Sequence, residues 1–222
     1  VLLLVLIAAL IVASDRRAQI AVSTGLTVDV GQPPAVEPVV LEAITMEEAR
    51  TKNASQPFIT GPLPAAKPFT LTGPFADVER GVDCLAANIF YEAGNEHLEG
   101  QMAVAQVVIN RMRHPAFPKT ICGVVFQGQE RRTGCQFSFT CDGSLRRQPS
   151  ALAWERYRAL AKSMLSGAVY APVGLATHYH TDWVRPTWSP KMDKLRAERT
   201  HLFFRWKGFW GTPRAFTGQH GN

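Results

Sequence analysis

The chain has 222 residues, with 24 Lys or Arg against 18 Asp or Glu and a net charge of +6. That length accommodates one ordinary domain plus appendages. The positive balance suits an anionic polymer or surface. No nucleic-acid recognition motif accompanies it, so DNA and RNA are not among the expected partners.

The sequence opens on an unbroken apolar run over residues 1–13. A bilayer span needs about 20 apolar residues, so the run would need more chain upstream to cross. Residues 1–14 are therefore expected to be part of a signal peptide or membrane anchor. The protein is expected to be exported, to the periplasm or cell envelope, with inner-membrane anchoring as one form. Residues 15–78 follow as a Pro-rich tether, expected to be mostly disordered. Eight of the 15 prolines fall between Pro33 and Pro74, and such density resists helices and sheet ladders.

The texture changes near Glu79. Residues 79–222 hold 19 Lys or Arg against 11 Asp or Glu, while residues 1–78 hold 5 against 7. Val82, Leu85, Ala86, Ile89, Phe90 and Ala93 recur at three and four, one face of a helix over residues 80–93. Gly94 and Asn95 stop it. Leu98, Met102, Ala105, Ile109 and Met112 predict a second helix over residues 97–113, ended before Pro115. Residues 115–149 are loop-rich. Ser150 is placed to cap a third helix that Gly167 ends. Residues 176–180 and 201–206 alternate as strands and are expected to pair in a small sheet. The domain is set at residues 79–210, followed by a flexible tail over residues 211–222. The fold class is α+β, mainly α, with a small β-sheet.

The four cysteines, Cys84, Cys122, Cys135 and Cys141, are even in number and suit two disulfides in an exported protein. Three pairings are open. Cys135 with Cys141 closes a short loop, which leaves Cys84 with Cys122. No CxxC pair is present to suggest zinc, and no metal or cofactor is expected.

Three groups of residues carry candidate chemistry. The first is an acidic bend with Glu92, Glu96 and Glu99. Glu92 sits where an apolar helix meets a stop, half in an apolar wall and half at an open edge. Desolvation there raises a carboxyl pKa, and a protonated carboxyl facing a cleft can protonate a glycosidic oxygen. Glycan cleavage often adds a second carboxylate, for which Glu96 is the candidate. The second group is the strand with His178, Tyr179 and His180. His178 and His180 share one face and Tyr179 takes the other. The strand is either one wall of a sugar cleft or, with Asp182, a metal set. The third is the loop from Gly134 to Gly143, where a disulfide would fix Gln136, Ser138 and Asp142 beside Phe137 and Phe139. Rigid polar groups beside aromatic rings suit carbohydrate binding.

Residues 84–93 (CLAANIFYEA) and 99–111 (EGQMAVAQVVINR) closely resemble the core of the SleB-type cell wall hydrolases, which include the spore cortex-lytic enzymes. Phe117-Pro118, residues 123–127, Gln136-Phe137-Ser138, residues 176–180 and residues 184–188 continue the likeness in order, over about residues 80–207. The resemblance implies a lysozyme- or transglycosylase-like helical domain acting on peptidoglycan. It implies cleavage between N-acetylmuramic acid and N-acetylglucosamine as a lytic transglycosylase. Glu92 would be acid and then base, and Glu96 a secondary carboxylate. Gln136, Ser138, Phe139, His178 and Tyr179 would bind the glycan. The family usually carries Glu-Ala-Arg-Gly-Glu, where this chain has Glu92-Ala93-Gly94-Asn95-Glu96. That departure keeps a catalytically weakened peptidoglycan-binding module among the readings. A zinc amidase cutting the muramoyl–alanine bond through His178, His180 and Asp182 is the other alternative.

Overall fold

The computed structural model describes residues 19–21, 27–36, 39–131 and 134–221. The apolar run of residues 1–13 lies outside the described residues. The chain divides into a unit of residues 1–33 and a unit of residues 34–222. In the first, strands β1 (Gln19–Ala21) and β2 (Thr27–Asp29) pair antiparallel. Among the described residues, no helix is long and apolar enough to cross a membrane.

The second unit is mainly helical, with one small sheet. Helices α2 (Phe75–Ala93), α3 (Leu98–Arg113), α4 (Ile121–Val125) and α5 (Ala151–Leu165) form its body. They follow α1 (Met46–Ser55), which a Thr45–Glu48 capping box starts. α3 is the central element. Everything from Ala103 to Met112 is buried, so its apolar pattern is covered on all sides rather than along one stripe. That buried stretch contains three polar side chains, and each pairs with a backbone group. Gln106 accepts from the Tyr170 amide at 3.0 Å and Asn110 donates to the Gly174 and Ala176 carbonyls at 3.0 and 2.8 Å. Arg111 Nε donates to the Thr177 carbonyl at 2.5 Å. A buried polar group left unpaired costs several kcal/mol at the upper end, so these bonds fix the run into the next strand.

That strand is β3 (His178–Thr181). With β4 (Asp193–Glu198) and β5 (His201–Arg205) it makes an antiparallel sheet in the order β3–β5–β4. His178 lies opposite Phe204 and Thr181 opposite His201, the pairing expected of residues 176–180 with 201–206. Both disulfides form as read from the sequence, Cys84–Cys122 tying α2 to α4 and Cys135–Cys141 closing the loop.

Part of the Pro-rich stretch expected as a tether over residues 15–78 is docked instead. From Val39 onward it lies against the sheet side of the domain. Leu41 bridges to Pro186, the Glu42 amide donates to the Arg185 carbonyl at 2.8 Å, and the Thr187 amide donates to the Val40 carbonyl at 2.9 Å. Asn53 on α1 is 2% exposed and bonds the carbonyls of Asp182 and Val184. Prolines forbid long ladders, but single bridges and side-chain anchors dock an extended segment just as well. The tail is also held. Ala215 and Phe216 are buried, and the Gly218 and Gly221 amides donate to the carbonyls of Arg113 and Lys119. Phe216 sits against His114, an apolar contact that a 12-residue composition does not announce.

Candidate active site

Glu92 lies in the last turn of α2, where Gly94 caps the helix and its amide donates to the Phe90 carbonyl. Its half-buried carboxyl lines a cleft of about 490 Å³. The opposite wall is β3, from which the Tyr179 hydroxyl donates to Glu92 Oε2 at 3.0 Å. Burial pushes the Glu92 carboxyl up to about 7. The Tyr179 hydrogen bond and the Arg111 charge pull the other way, and the Asp142 charge adds to the rise. The carboxyl therefore keeps its proton in a good fraction of molecules at neutral pH. Tyr179 is itself raised well above 10 by burial and by Glu92, so its hydroxyl stays a donor.

Arg111 forms the floor. Its guanidinium lies between the rings of Phe117 and Phe137, at 5.1 and 5.0 Å. Gln136, with its amide oxygen toward Arg111, accepts from both terminal nitrogens at 2.9 and 3.1 Å. Burial lowers Arg111 to about 10, which still leaves it cationic at neutral pH. A fixed cation, an amide and a neutral carboxyl thus face one hollow.

Of the residues singled out from sequence, Glu92, Gln136, Ser138 and Tyr179 meet in this cleft. Phe139 does not. It is 2% exposed and stacks on Tyr91 at 4.7 Å, so it holds the disulfide loop to α2, and Phe137 takes the place at the cleft wall. A single 3-10 turn over Ser138–Thr140 separates the directions of the two rings, which an extended run would have put on one face. His178 lies in an adjoining hollow of about 230 Å³ that shares Val39, Gln136 and Trp188 with the main cleft. Its Nδ1 pairs with the Thr177 hydroxyl, and burial holds the ring neutral.

Glu96 lies on the other side of Glu92, in a hollow of about 260 Å³ that both glutamates line with Arg147, Trp183 and His201. The Thr200 hydroxyl donates to Glu96 Oε1 at 3.1 Å, and His201 Nδ1 stands 3.5 Å from the same oxygen. His180 uses both ring nitrogens, one toward the Thr181 carbonyl and one toward the Ser189 hydroxyl, and burial lowers it to about 4. Asp182 faces Arg50 at 3.6 Å. His178, His180 and Asp182 therefore have separate partners. Among the described residues no group of three or more His, Cys, Asp or Glu is arranged to hold a metal ion.

Arg111, His201, Trp188 and the aliphatic pair Val39 and Leu41 were not singled out from sequence. Arg111 reads as the basic last turn of α3, and the others come from distant segments.

Residues 95–204 match the family described as Cell Wall Hydrolase, a stretch that opens just after Glu92. The chain belongs to the SleB-type cell wall hydrolases. It is 37% identical over 71 residues to the spore cortex-lytic enzyme of Bacillus subtilis, covering 32% of this chain and 21% of that protein. It is 26% identical over 126 residues to the spore cortex-lytic enzyme of Oceanobacillus iheyensis, 56% of this chain and 41% of that one. The same enzyme of Halalkalibacterium halodurans is 28% identical over 126 residues, 56% of this chain and 34% of its own. The chain thus spans well under half the length of these curated relatives. No solved structure matches it significantly. Within the family stretch lie Arg111, the disulfide loop, β3 and most of β5.

Proposed function

We propose that this SleB-type domain is an exported peptidoglycan hydrolase that cleaves the glycan strand between N-acetylmuramic acid and N-acetylglucosamine. We further assign it the lytic transglycosylase route, with Glu92 as general acid and then base. The observation that carries this reading is a half-buried carboxyl, raised to about 7, on the wall of a sugar-sized cleft. Family membership and relatives named as cortex-lytic enzymes support the substrate class.

The chemistry follows from the residues. The central hollow, with Arg111, shares Val39, Gln136 and Trp188 with the hollow of His178, and shares Glu92, Thr181 and His201 with the hollow of Glu96. A polymer laid along them would pass across Glu92 with sugars on both sides. Glu92 donates its proton to the leaving oxygen and the C1–O bond breaks. The muramoyl C6 hydroxyl then forms the new bond to C1 and returns its proton to Glu92. Tyr179 orients the Glu92 carboxyl. Arg111, Gln136 and Ser138 offer donors and acceptors to ring substituents, and Trp188 offers a face for a sugar ring. Glu96, engaged by Thr200 and His201, serves as a supporting carboxylate. No step calls on a metal or cofactor. Two disulfides fit an oxidising compartment outside the cytoplasm.

The test is the purified protein on peptidoglycan sacculi, with products read by mass spectrometry. Anhydromuramoyl ends are expected. Glu92→Gln is expected to lose release of muropeptides by about 10²-fold or more. Release of intact glycan with free stem peptides would instead establish the amidase alternative, and sacculus binding without turnover the binding module.

A further inference from the structure

The cleft has a second carboxylate besides Glu92, and it is not Glu96. Asp142 lines the same 490 Å³ hollow as Glu92, Arg111 and Tyr179, whereas Glu96 opens only onto the hollow beyond. Its side chain has a fixed direction. Gly143 takes φ +87°, a left-handed turn that suits glycine. That turn brings the Ser144 amide to Asp142 Oδ1 at 2.8 Å. The residue before it, Cys141, is bonded to Cys135, and the Asp142 amide donates to the Ser138 carbonyl at 3.0 Å. The carboxylate thus follows directly on a short cystine-closed loop, to which its amide is bonded and which the Phe139–Tyr91 stack holds to α2.

We infer that Asp142 is the ionised catalytic partner of Glu92, placed to stabilise the positive charge that develops at the anomeric carbon. This inference rests on the glycan-cleaving reading. When Glu92 gives its proton to the leaving oxygen, the C1–O electron pair departs with that oxygen and C1 becomes cation-like. Asp142 opposes that charge without taking or giving a proton. The C6 hydroxyl then closes on C1 and its proton goes to Glu92.

The two carboxyls are driven apart in the way such work requires. Bonds to Ser144, Ser138 and its own backbone hold Asp142 below the usual aspartate value, although burial opposes them. Glu92 goes up, in part because of Asp142. The charged and titratable groups around the pair are Arg111 from α3, Tyr179 and His180 from β3 and His201 from β5. Burial holds both histidines below 6.5, so Arg111 and Asp142 are the charges that share this cleft with Glu92, and Glu96 and Arg147 share the adjoining hollow with it.

The experiment compares wild type, Asp142→Asn, Asp142→Glu and Glu92→Gln on sacculi across pH 5 to 9, with kcat and KM resolved on a soluble glycan fragment. Asp142→Asn is expected to lose about 10²-fold in kcat with KM little changed. Its alkaline limb is expected to move to lower pH, because the charge that helped raise Glu92 is gone. Asp142→Glu keeps the charge and is expected to restore part of the rate and the limb. A purely structural Asp142 would lower stability and leave the limb in place. If wild type cleaves glycan, Glu92→Gln is inactive and Asp142→Asn keeps rate and limb, this inference fails and the proposed function stands. If wild type yields no new glycan ends, the proposed function itself fails.

Discussion

The Tyr179 hydroxyl donates a 3.0 Å hydrogen bond to Glu92 Oε2 and couples the sheet to the end of α2. A donor to a carboxylate favours the ionised form, so this bond works against the burial that keeps Glu92 protonated. Tyr179→Phe therefore raises Glu92 further. The alkaline limb of kcat/KM is expected to move up by roughly half to one pH unit, while the rate at the optimum falls about tenfold from lost orientation. A pH profile on soluble glycan checks both, and a limb that stays or moves down removes Tyr179 from this role.

The same carboxyl makes folding pH-dependent. Its folded-state value of about 7 lies above the ordinary 4.5, so the folded chain binds this proton more tightly than the unfolded chain. That contribution is complete below about pH 4.5 and is lost as pH rises through 7. Glu92→Gln has no proton to lose. It is expected to be more stable than wild type at pH 8 by up to about 3 kcal/mol, and equal to it at pH 4. Urea unfolding at the two pH values measures this. Equal stability at pH 8 would mean that Glu92 is not desolvated.

The helices were legible because their apolar spacing and caps agree. The residues predicted over 97–113 form α3 with His97 as its N-cap, and Ser150 caps α5 by accepting from the Ala153 amide. β4 was not legible. Its sequence, Asp-Lys-Leu-Arg-Ala-Glu, has only Leu195 and Ala197 as apolar residues and is otherwise charged, yet Lys194 is 3% exposed and donates to the carbonyls of Asn53 and Gln56. A buried lysine paired with carbonyls from residues far upstream leaves no local pattern. The site divides the same way. Glu92 and Tyr179 announce themselves at a helix stop and on an alternating strand. Arg111 resembles any basic residue in a last helical turn, and only the Gln136 loop and two phenylalanine rings show that it points inward.

The two disulfides are expected to differ in what they support. Cys84–Cys122 closes 38 residues between α2 and α4, and the loop-entropy relation gives about 4 kcal/mol for its removal. Cys135–Cys141 closes only 6, for about 2 kcal/mol. That smaller loop carries Gln136 and Ser138 into the cleft and holds Asp142 at its exit. Serine pairs at positions 84 and 122 should therefore lower thermal stability more, and serine pairs at 135 and 141 should lower kcat/KM more. Thermal melts and turnover on both double variants, measured below the lower Tm, decide it. The reverse order would place the rigid support elsewhere.

Asn53 fastens the segment before α2 to the site. Its amide nitrogen donates to the carbonyls of Asp182 and Val184 at 2.8 and 2.9 Å, and its oxygen accepts from Arg185 Nη1 at 2.9 Å. Arg185 in turn pairs with Glu42 at 3.1 Å, next to Leu41, and Leu41 and Val39 form the aliphatic side of the cleft. Asn53→Ala leaves two carbonyls and one side of a buried guanidinium without partners. The expected loss is about 3 kcal/mol, because an orphaned buried group costs more than the bond it made was worth. The effect on turnover follows from position. Glu92, Arg111 and Tyr179 lie on α2, α3 and β3 and keep their places, so kcat on a short glycan fragment should hold. KM for long strands should rise several-fold as the Val39–Leu41 wall loosens. Urea unfolding and kinetics on short and long substrates measure the two effects. A KM that rises equally for both lengths would place the wall at the scissile bond rather than along the strand.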